Sequence, residues 1–217
     1  RSSLVAVGSG GSFTAASLAV YLHERYTGCV AKAVTPLEAA HSKINWGKAA
    51  ALVFTARGGN ADVLGAFRHL ARSEPQQLGT LCTRLDSPLA DLANECGAEC
   101  FDFELPTGKD GFLATNSLLA SAVVLTRLYG EALGEIAGLP AKFADLFVDR
   151  EPEMMHGSEE KLWKSETLIV LYSSCTRAGA VDLESKFSEA AIGNLQAVDY
   201  RNFAHGRHHW LARRGSS

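Results

Sequence analysis

A short apolar run, closed by a glycine cluster and followed by a helical stretch, opens the chain and constrains its fold most. Leu4-Val-Ala-Val7 leads into Gly8-Ser-Gly-Gly-Ser-Phe13, and a helical pattern covers residues 12–26. A continuous apolar run of this length is typical of a strand buried on both faces, as strands of parallel sheets are. We therefore expect a strand, a loop and a helix that packs back on the strand.

The same order recurs through the first 130 residues. Further strands are predicted at residues 30–34, 50–54, 78–82 and 100–103, and further helices at residues 63–71, from Ser87-Pro88 onward and at residues 112–129. Strands that alternate with helices imply right-handed crossovers between parallel strands. The sequence thus predicts an α/β fold with a doubly wound parallel sheet flanked by helices, whose ligand site lies beyond the carboxyl ends of the strands.

The composition changes near Gly130 and indicates three parts. We expect a first domain over residues 1–135, connecting helices over 136–166 and a second domain over 167–217. An apolar run at 168–172 and a helical pattern at 178–192 repeat the opening order, so the last part is predicted to be an incomplete second copy of the unit. We expect the given chain to end within that copy and to be a piece of a longer protein.

The overall composition excludes several classes of partner. The 217 residues carry a net charge of −3, with 47% apolar and 21% charged residues, the balance of an ordinary globular protein. No basic face that would attract nucleic acid or an anionic membrane is evident, and no apolar run reaches the roughly 18–20 residues of a membrane span. The five cysteines form no paired framework, which favours a reduced, cytoplasmic protein without a metal or cofactor.

Two strand-to-helix loops could hold an anion. The first is Gly8–Phe13, and the second is Thr55-Ala-Arg-Gly-Gly-Asn-Ala-Asp62, which follows the third predicted strand. Glycines let the backbone approach a ligand, and the N–H groups and dipole of a helix N-terminus favour negative charge. Either loop alone could be a mere tight turn. A dinucleotide site is disfavoured because Phe13 stands where G-x-G-x-x-G needs glycine and no acidic residue ends the second strand at Val34.

The two loops resemble the phosphate-binding loops of the sugar-isomerase (SIS) domain family. The segment from Ser9 to Phe13 is similar to C/S-G-T-S-Y, and the segment from Thr55 to Asp62 is similar to S-Q-S-G-E-T-A-D. The resemblance implies a bound sugar phosphate as the ligand. Its phosphosugar contacts would be Ser9, Gly11, Ser12, Thr55, Arg57 and Asn60, although Arg57 replaces a serine of the family pattern.

The second half carries a resemblance to catalytic segments of isomerases in the same family. Glu184-Ser-Lys-Phe-Ser-Glu189 is similar to K-x-x-E, and Phe203-Ala-His-Gly206 is similar to L-K-H-G. The resemblance implies an aldose–ketose isomerase acting on a hexose phosphate or amino-sugar phosphate. Glu189 would move the proton, Lys186 would assist, and His205 would open the ring, in a homodimer whose histidine reaches the neighbouring site.

The residues themselves leave alternatives open. On a helix, Asp182, Lys186 and Glu189 share one stripe, so Lys186 can pair with Glu189, but a solvated salt-bridge stripe has the same spacing. A phosphosugar sensor without catalysis is the competing hypothesis, because Arg57 could fill the pocket and the loop at 173–177 lacks glycine. A purely structural domain is the third hypothesis.

Overall fold

The computed structural model of the chain describes residues 2–106, 108, 110–134, 142, 164–165 and 167–214. The backbone forms two compact units, Arg1–Tyr129 and Gly130–Ser217. The predicted connecting helices at 136–166 lie almost wholly outside the described residues. Within the described part of the chain, no helix is long and apolar enough to cross a membrane.

The first unit is a five-stranded parallel sheet in the order β2-β1-β3-β4-β5. This order has one reversal of direction, between β1 and β3, as in doubly wound sheets of the flavodoxin type. The strands are β1 (Ser3–Val7), β2 (Ala31–Val34), β3 (Ala49–Thr55), β4 (Gln77–Cys82) and β5 (Glu99–Cys100). The helices are α1 (Gly11–Thr27), α2 (Pro36–His41), α3 (Ala61–Arg72), α4 (Pro88–Glu95) and α5 (Asn116–Leu133), and a 3₁₀ turn covers Trp46–Lys48.

Successive strand residues point to opposite faces of the sheet, and each face has its own core. Val5, Val7 and Val53 pack in one cluster with α3 and α4 residues such as Phe67 and Leu89. The other face buries Leu4, Ala6, Phe54 and Leu81 against α1 and α5. Because helices cover both faces, the strand sequences are continuous runs of apolar residues and do not alternate between apolar and polar residues. The predicted α/β fold class is confirmed.

Local sequence signals place the helix starts. Thr35, Asn60 and Ser87 each accept a hydrogen bond on their side chain from a backbone N–H of the first helical turn. Such capping satisfies N–H groups that have no partner within the helix. Pro36 and Pro88 occupy the first helical positions, where the missing N–H costs nothing.

The second unit contains a smaller parallel sheet. Its strands β6 (Thr167–Tyr172) and β7 (Asn194–Asp199) pair in register and are joined through α6 (Arg177–Glu189). The chain continues through α7 (Tyr200–Asn202), a π-helical stretch at Phe203–Arg207 and α8 (His209–Arg214). This strand–helix–strand unit has the same element order as β1–α1–β2, so a second, smaller copy of the motif is present.

Helix α2 and strand β7 were not predicted, and two of the predicted elements differ in extent. The fifth strand is only two residues long, but Phe101 N–H and Phe103 N–H donate to Thr80 and Cys82 carbonyl oxygens, so the chain continues beside β4. Helix α5 begins at Asn116 rather than at residue 112, because the Asp110 carboxylate accepts the N–H groups that start the helix.

Candidate phosphosugar site at the carboxyl edge of the sheet

The two glycine-containing loops lie at the same edge of the first sheet, on neighbouring strands. Val7, the last residue of β1, pairs with Val53 of β3, and the loops begin at Gly8 and just after Thr55. Because all strands are parallel, both loops leave from carboxyl ends, where doubly wound folds place their ligands. The geometry needed for two loops to share one anion is therefore present.

A small depression lies between these two loops. Its volume is about 10 Å³, room for about one water molecule, so a phosphate group would sit at its mouth. The residues that line it come from both loops, from the end of β4 and from the start of α5: Gly11, Ser12, Ala15, Phe54, Thr55, Ala56, Thr83, Ser117, Leu118 and Ser121. Gly11, Ser12 and Thr55 thus line one depression, and their contact with a phosphosugar stays a prediction.

The hydroxyl groups in the depression differ in what they can offer a ligand. Thr83 Oγ1 donates to the Ala56 carbonyl (3.1 Å), Ser121 Oγ donates to the Ser117 carbonyl (2.8 Å), and Ser117 Oγ donates to Asp110. Thr55 Oγ1 accepts from Gly58 N–H (3.2 Å), which leaves its own hydrogen available. Ser12 and Thr55 are therefore the hydroxyl groups best placed to donate to an anion.

The second loop is shaped by a glycine that no other residue could replace without strain. Gly58 has φ of +64°, and a Cβ atom there would collide with the side chain of Ser87. Gly58 is buried, and its N–H donates a hydrogen bond to Thr55 Oγ1. The turn is thus held against the N-cap residue of α4.

The first loop approaches its own helix closely. A Cβ atom at Gly8 would collide with the backbone carbonyl group of Ser12. Gly10 is the N-cap residue of α1, and no side chain caps this helix. Ser12 N–H and Phe13 N–H donate to the Ser9 and Gly10 carbonyl oxygens, so the Gly11 N–H is the first-turn donor that a ligand could satisfy, with the positive end of the helix dipole behind it.

Arg57 lines a larger cleft that adjoins the depression. The cleft has a volume of about 440 Å³ and shares Ala56 and Thr83 with the depression. Its other lining residues are Arg57, Arg84, Glu104, Leu105, Gly108 and Asp110. A cleft of this size is in the range of small-molecule sites.

Asp110 closes the wall between the cleft and α5. Burial works to raise the pKa of this carboxyl group, but the Ser117 hydroxyl and the backbone N–H groups of Ser117, Asn116 and Thr115 outweigh it and hold the pKa below its ordinary value. The carboxylate is therefore occupied in fixing the N-terminus of α5.

Two predicted contacts, Ser9 and Asn60, line neither the depression nor the cleft. Ser9 is exposed, and its carbonyl oxygen accepts from Ser12 N–H (3.1 Å) in the turn before α1. Asn60 is exposed and caps α3, because its Oδ1 accepts from Asp62 N–H (2.9 Å). Their role in phosphate binding stays a prediction.

Asp102, Thr80 and Cys82 form a cluster of polar groups on and beside β4. Burial raises the pKa of Asp102, and the Cys82 backbone and Thr80 hydroxyl offset only part of this effect. Among the described residues, Asp102 Oδ1 and Thr80 Oγ1 make no hydrogen bond of ordinary length, so the effect of Thr80 on Asp102 is that of a nearby dipole rather than of a formed bond. Burial likewise raises the pKa of the Cys82 thiol, which the Arg84 and Ser87 hydrogen bonds oppose.

A second groove, of about 700 Å³, lies at the opposite edge of the sheet. It is lined by the end of α3 and the start of β4, including Arg72, Glu74 and Gln77. Although it is larger than the cleft, it lies at the amino ends of the strands, away from both glycine-containing loops. The carboxyl edge is therefore the better candidate site.

The predicted catalytic residues belong to the second unit. Lys186 is half-buried, and its Nζ lies 3.1 Å from Asp182 Oδ1, so the expected pairing with Glu189 is replaced by an i, i+4 pair. Glu189 is exposed and is the last residue of α6. His205 is exposed and lies within the π-helical stretch.

Sequence reasoning missed Thr83, Ser117, Ser121 and Arg84. Each carries a hydroxyl or guanidinium group, but none belongs to a glycine-containing loop. Thr83 and Arg84 could have been found from their position, because they directly follow the predicted strand at residues 78–82, where a parallel sheet places ligand-binding loops.

Solved structures with the same fold include phosphosugar enzymes. The chain is similar to a candidate phosphosugar isomerase from Silicibacter pomeroyi (21% identity, TM-score 0.72) and to glucosamine-6-phosphate deaminase from Thermotoga maritima (20%, 0.74). It is also similar to the C-terminal domain of glucosamine-fructose-6-phosphate aminotransferase from Francisella tularensis (18%, 0.70). No protein-family model matches the sequence, and no curated protein is significantly similar to it.

The matches cover nearly the whole of this chain but only part of those structures. They include 94%, 95% and 95% of this chain, and 62%, 64% and 60% of the respective solved chains. The chain thus spans about three fifths of the proteins it resembles. The likeness confirms the predicted resemblance to SIS domains at the level of the fold.

Proposed function

We propose that this chain binds a sugar phosphate at the carboxyl edge of its five-stranded sheet. The observation that carries the proposal is the depression that Ser12 and Thr55, from two strand-to-helix loops, line together. Both hydroxyl groups can donate, and the Gly11 N–H at the start of α1 adds a backbone donor beside the helix dipole. The adjoining 440 Å³ cleft would hold the sugar.

Binding is tested by titrating the chain with glucose 6-phosphate and with glucose in a calorimeter. We expect binding of the phosphate ester alone, weakened about tenfold or more in Ser12→Ala and Thr55→Val, since each removes a hydrogen bond to a charged group. Ser73→Ala is the matched control, because Ser73 follows α3 at the opposite edge of the sheet and lines neither the depression nor the cleft. Equal affinity for glucose and its phosphate would contradict the proposal.

We further propose aldose–ketose isomerisation as the reaction, acting on a hexose phosphate or amino-sugar phosphate. Glu189 would take the proton from the carbon next to the carbonyl group and return it to the neighbouring carbon, through an enediolate. Lys186 would stabilise the negative charge on the oxygen, and His205 would transfer the proton that opens the ring. The support for these roles is the K-x-x-E and histidine-glycine resemblance.

A non-catalytic sensing function is the second candidate, and the exposure of Glu189 favours it. A catalytic carboxylate usually needs shielding from water, whereas Glu189 ends α6 in solvent and Lys186 is paired with Asp182. Deuterium exchange from D₂O into the carbon next to the carbonyl separates the two functions. An isomerase shows exchange that Glu189→Gln abolishes, and a sensor binds without exchange.

We also propose a cytoplasmic homodimer, as the resemblance implies, in which His205 serves the neighbouring site. Mixing Glu189→Gln chains with His205→Ala chains tests this arrangement directly. Activity recovered in the mixture supports a shared site, because one site of each mixed dimer has both groups. No recovery, despite mixed dimers in native mass spectrometry, would contradict it.

A further inference from the structure

We infer that the sugar phosphate bound here carries a second anionic group, which Arg57 and Arg84 hold together. The inference rests on the proposed phosphosugar binding and adds the substrate class. Both guanidinium groups line the 440 Å³ cleft that adjoins the phosphate depression. A carboxylate or a second phosphate on the sugar is the chemistry that fits them.

Strand register sets the two arginines side by side. Thr55 of β3 pairs with Cys82 of β4, and Arg57 and Arg84 each lie two residues beyond this pair. Neighbouring strands are about 4.8 Å apart, so the two side chains leave the sheet edge next to each other. The loops are also tied together, because Thr83 N–H and hydroxyl donate to the Thr55 and Ala56 carbonyl oxygens.

Neither guanidinium group is held by another side chain of the described residues, and that of Arg84 has only an electrostatic effect on the Cys82 thiol. Within the described part of the chain, no ion pair or hydrogen bond involves either side chain, and both residues are exposed. Two adjacent like charges without a partner are unfavourable unless an anion joins them. Arginine presents a planar fork of N–H donors that matches a carboxylate or a phosphate group.

The carboxylates of the cleft do not replace such a ligand. Asp110 is occupied by the hydroxyl group of Ser117 and by the backbone N–H groups of α5. Glu104 is exposed and, among the described residues, makes no ion pair with either arginine. The phosphate group has its own donors in Ser12 and Thr55, so the arginines remain for a different part of the ligand.

A matched pair of ligands tests the inference. Glucose 6-phosphate carries one anionic group, and 6-phosphogluconate has the same phosphate plus a carboxylate. We expect the wild-type chain to bind 6-phosphogluconate about tenfold or more tightly than glucose 6-phosphate, as a charge-assisted pair adds to binding. Arg84→Ala should remove this preference and leave glucose 6-phosphate affinity within about twofold, and Arg57→Gln should also remove the preference.

Two control variants sharpen the result. Arg72→Ala removes the same charge at the opposite edge of the sheet and should leave the preference intact. Glu104→Gln removes a negative charge from the cleft and should leave the affinity for 6-phosphogluconate equal or higher. Circular dichroism confirms that each variant is folded.

The possible results distinguish the second-anion inference from the proposed sugar phosphate binding on which it rests. Three results would each overturn the second-anion inference. The first is equal affinity of the wild type for both ligands, the second is a preference for 6-phosphogluconate that persists when both arginines are replaced, and the third is an equal weakening of the binding of both ligands by Arg84→Ala. Glucose 6-phosphate binding that depends on Ser12 would still stand in each case. Failure of both ligands to bind would overturn the proposed function as well.

Discussion

The Thr83 hydroxyl group donates a 3.1 Å hydrogen bond to the carbonyl oxygen of Ala56, across two neighbouring strands. This bond joins the loop after β4 to the loop after β3, beside the depression that Ser12 and Thr55 line. Three residues earlier, the Thr80 hydroxyl is fully buried and, among the described residues, makes no hydrogen bond of ordinary length, although it lies close enough to Asp102 to lower the pKa of that carboxyl group. The Thr83 hydroxyl group therefore makes a hydrogen bond, whereas the chemically identical Thr80 hydroxyl group does not.

Threonine-to-valine substitutions should therefore have opposite effects. Thr83→Val leaves the Ala56 carbonyl without its donor and should lower the free energy of unfolding by about 1 kcal/mol. Thr80→Val removes a buried, unsatisfied hydroxyl and should raise that free energy by up to about 1 kcal/mol. Urea unfolding of both variants measures the difference. Equal losses would show that the Thr83 bond has no special role.

The turn at Gly58 offers a second matched pair. Gly58→Ala should destabilise the chain by about 2 kcal/mol or more, because it combines a positive φ with a collision against Ser87. Gly59→Ala should be neutral or stabilising by up to about 1 kcal/mol, since a Cβ there meets no atom within 4 Å. Thermal unfolding measures both.

A double variant separates the two causes at Gly58. Ser87→Gly opens the space that the added methyl group needs, although it also removes the N-cap of α4. Gly58→Ala should then cost less in the Ser87→Gly background than in the wild type. An unchanged cost would assign the whole effect to the backbone conformation.

The glycine-containing loops could be predicted because their signal is local. Glycines between an apolar run and a helical pattern identify a strand-to-helix loop without knowledge of the rest of the chain. The strand β7 was missed because Asn194-Leu-Gln-Ala-Val-Asp199 buries Leu195 and Val198, three residues apart, instead of every second residue.

The rest of the candidate site depends on register between strands that the sequence does not reveal. Thr83 and Arg84 reach the depression and the cleft only because Cys82 pairs with Thr55. The partner of Lys186 could not be decided either, because Asp182 and Glu189 are both within one helical turn of it. In the structure, Lys186 pairs with Asp182, four residues before it.

Two carboxyl groups of the first unit should respond to pH in opposite directions. The pKa of Asp102 is raised by burial, so its contribution to stability is complete in acid and is lost as pH rises above 3.8 through the folded-state pKa. The pKa of Asp110 is lowered, despite burial, by hydrogen bonds from Ser117, Asn116 and Thr115. Its contribution is complete above 3.8 and is lost as pH falls through the folded-state pKa.

Asparagine variants isolate each contribution. Relative to wild type, Asp102→Asn should gain stability as pH increases from 3 to 7, whereas Asp110→Asn should lose it. Asp110→Asn should cost about 1 kcal/mol near neutral pH, because an uncharged cap holds the N-terminus of α5 less well. Urea unfolding across this pH range gives both slopes. Slopes of the same sign would contradict the assignment.

Asn60 caps α3 and is also predicted to contact phosphate, and one substitution separates these roles. Asn60→Asp keeps an oxygen that can accept from Asp62 N–H, so the free energy of unfolding should change by less than about 0.5 kcal/mol. The new negative charge lies at the end of the second loop, where a bound phosphate would be repelled. Glucose 6-phosphate affinity should fall about tenfold or more.

Asn45 provides the matched control for this change. It caps the 3₁₀ turn at Trp46–Lys48 in the same way, since its side chain accepts from Gly47 N–H at 3.0 Å. This turn precedes β3, so Asn45→Asp adds the same charge at the opposite end of that strand. The control should leave sugar phosphate affinity unchanged. If Asn60→Asp also left it unchanged, Asn60 would serve as a helix cap alone, and the anion would be held by Ser12 and Thr55 without it.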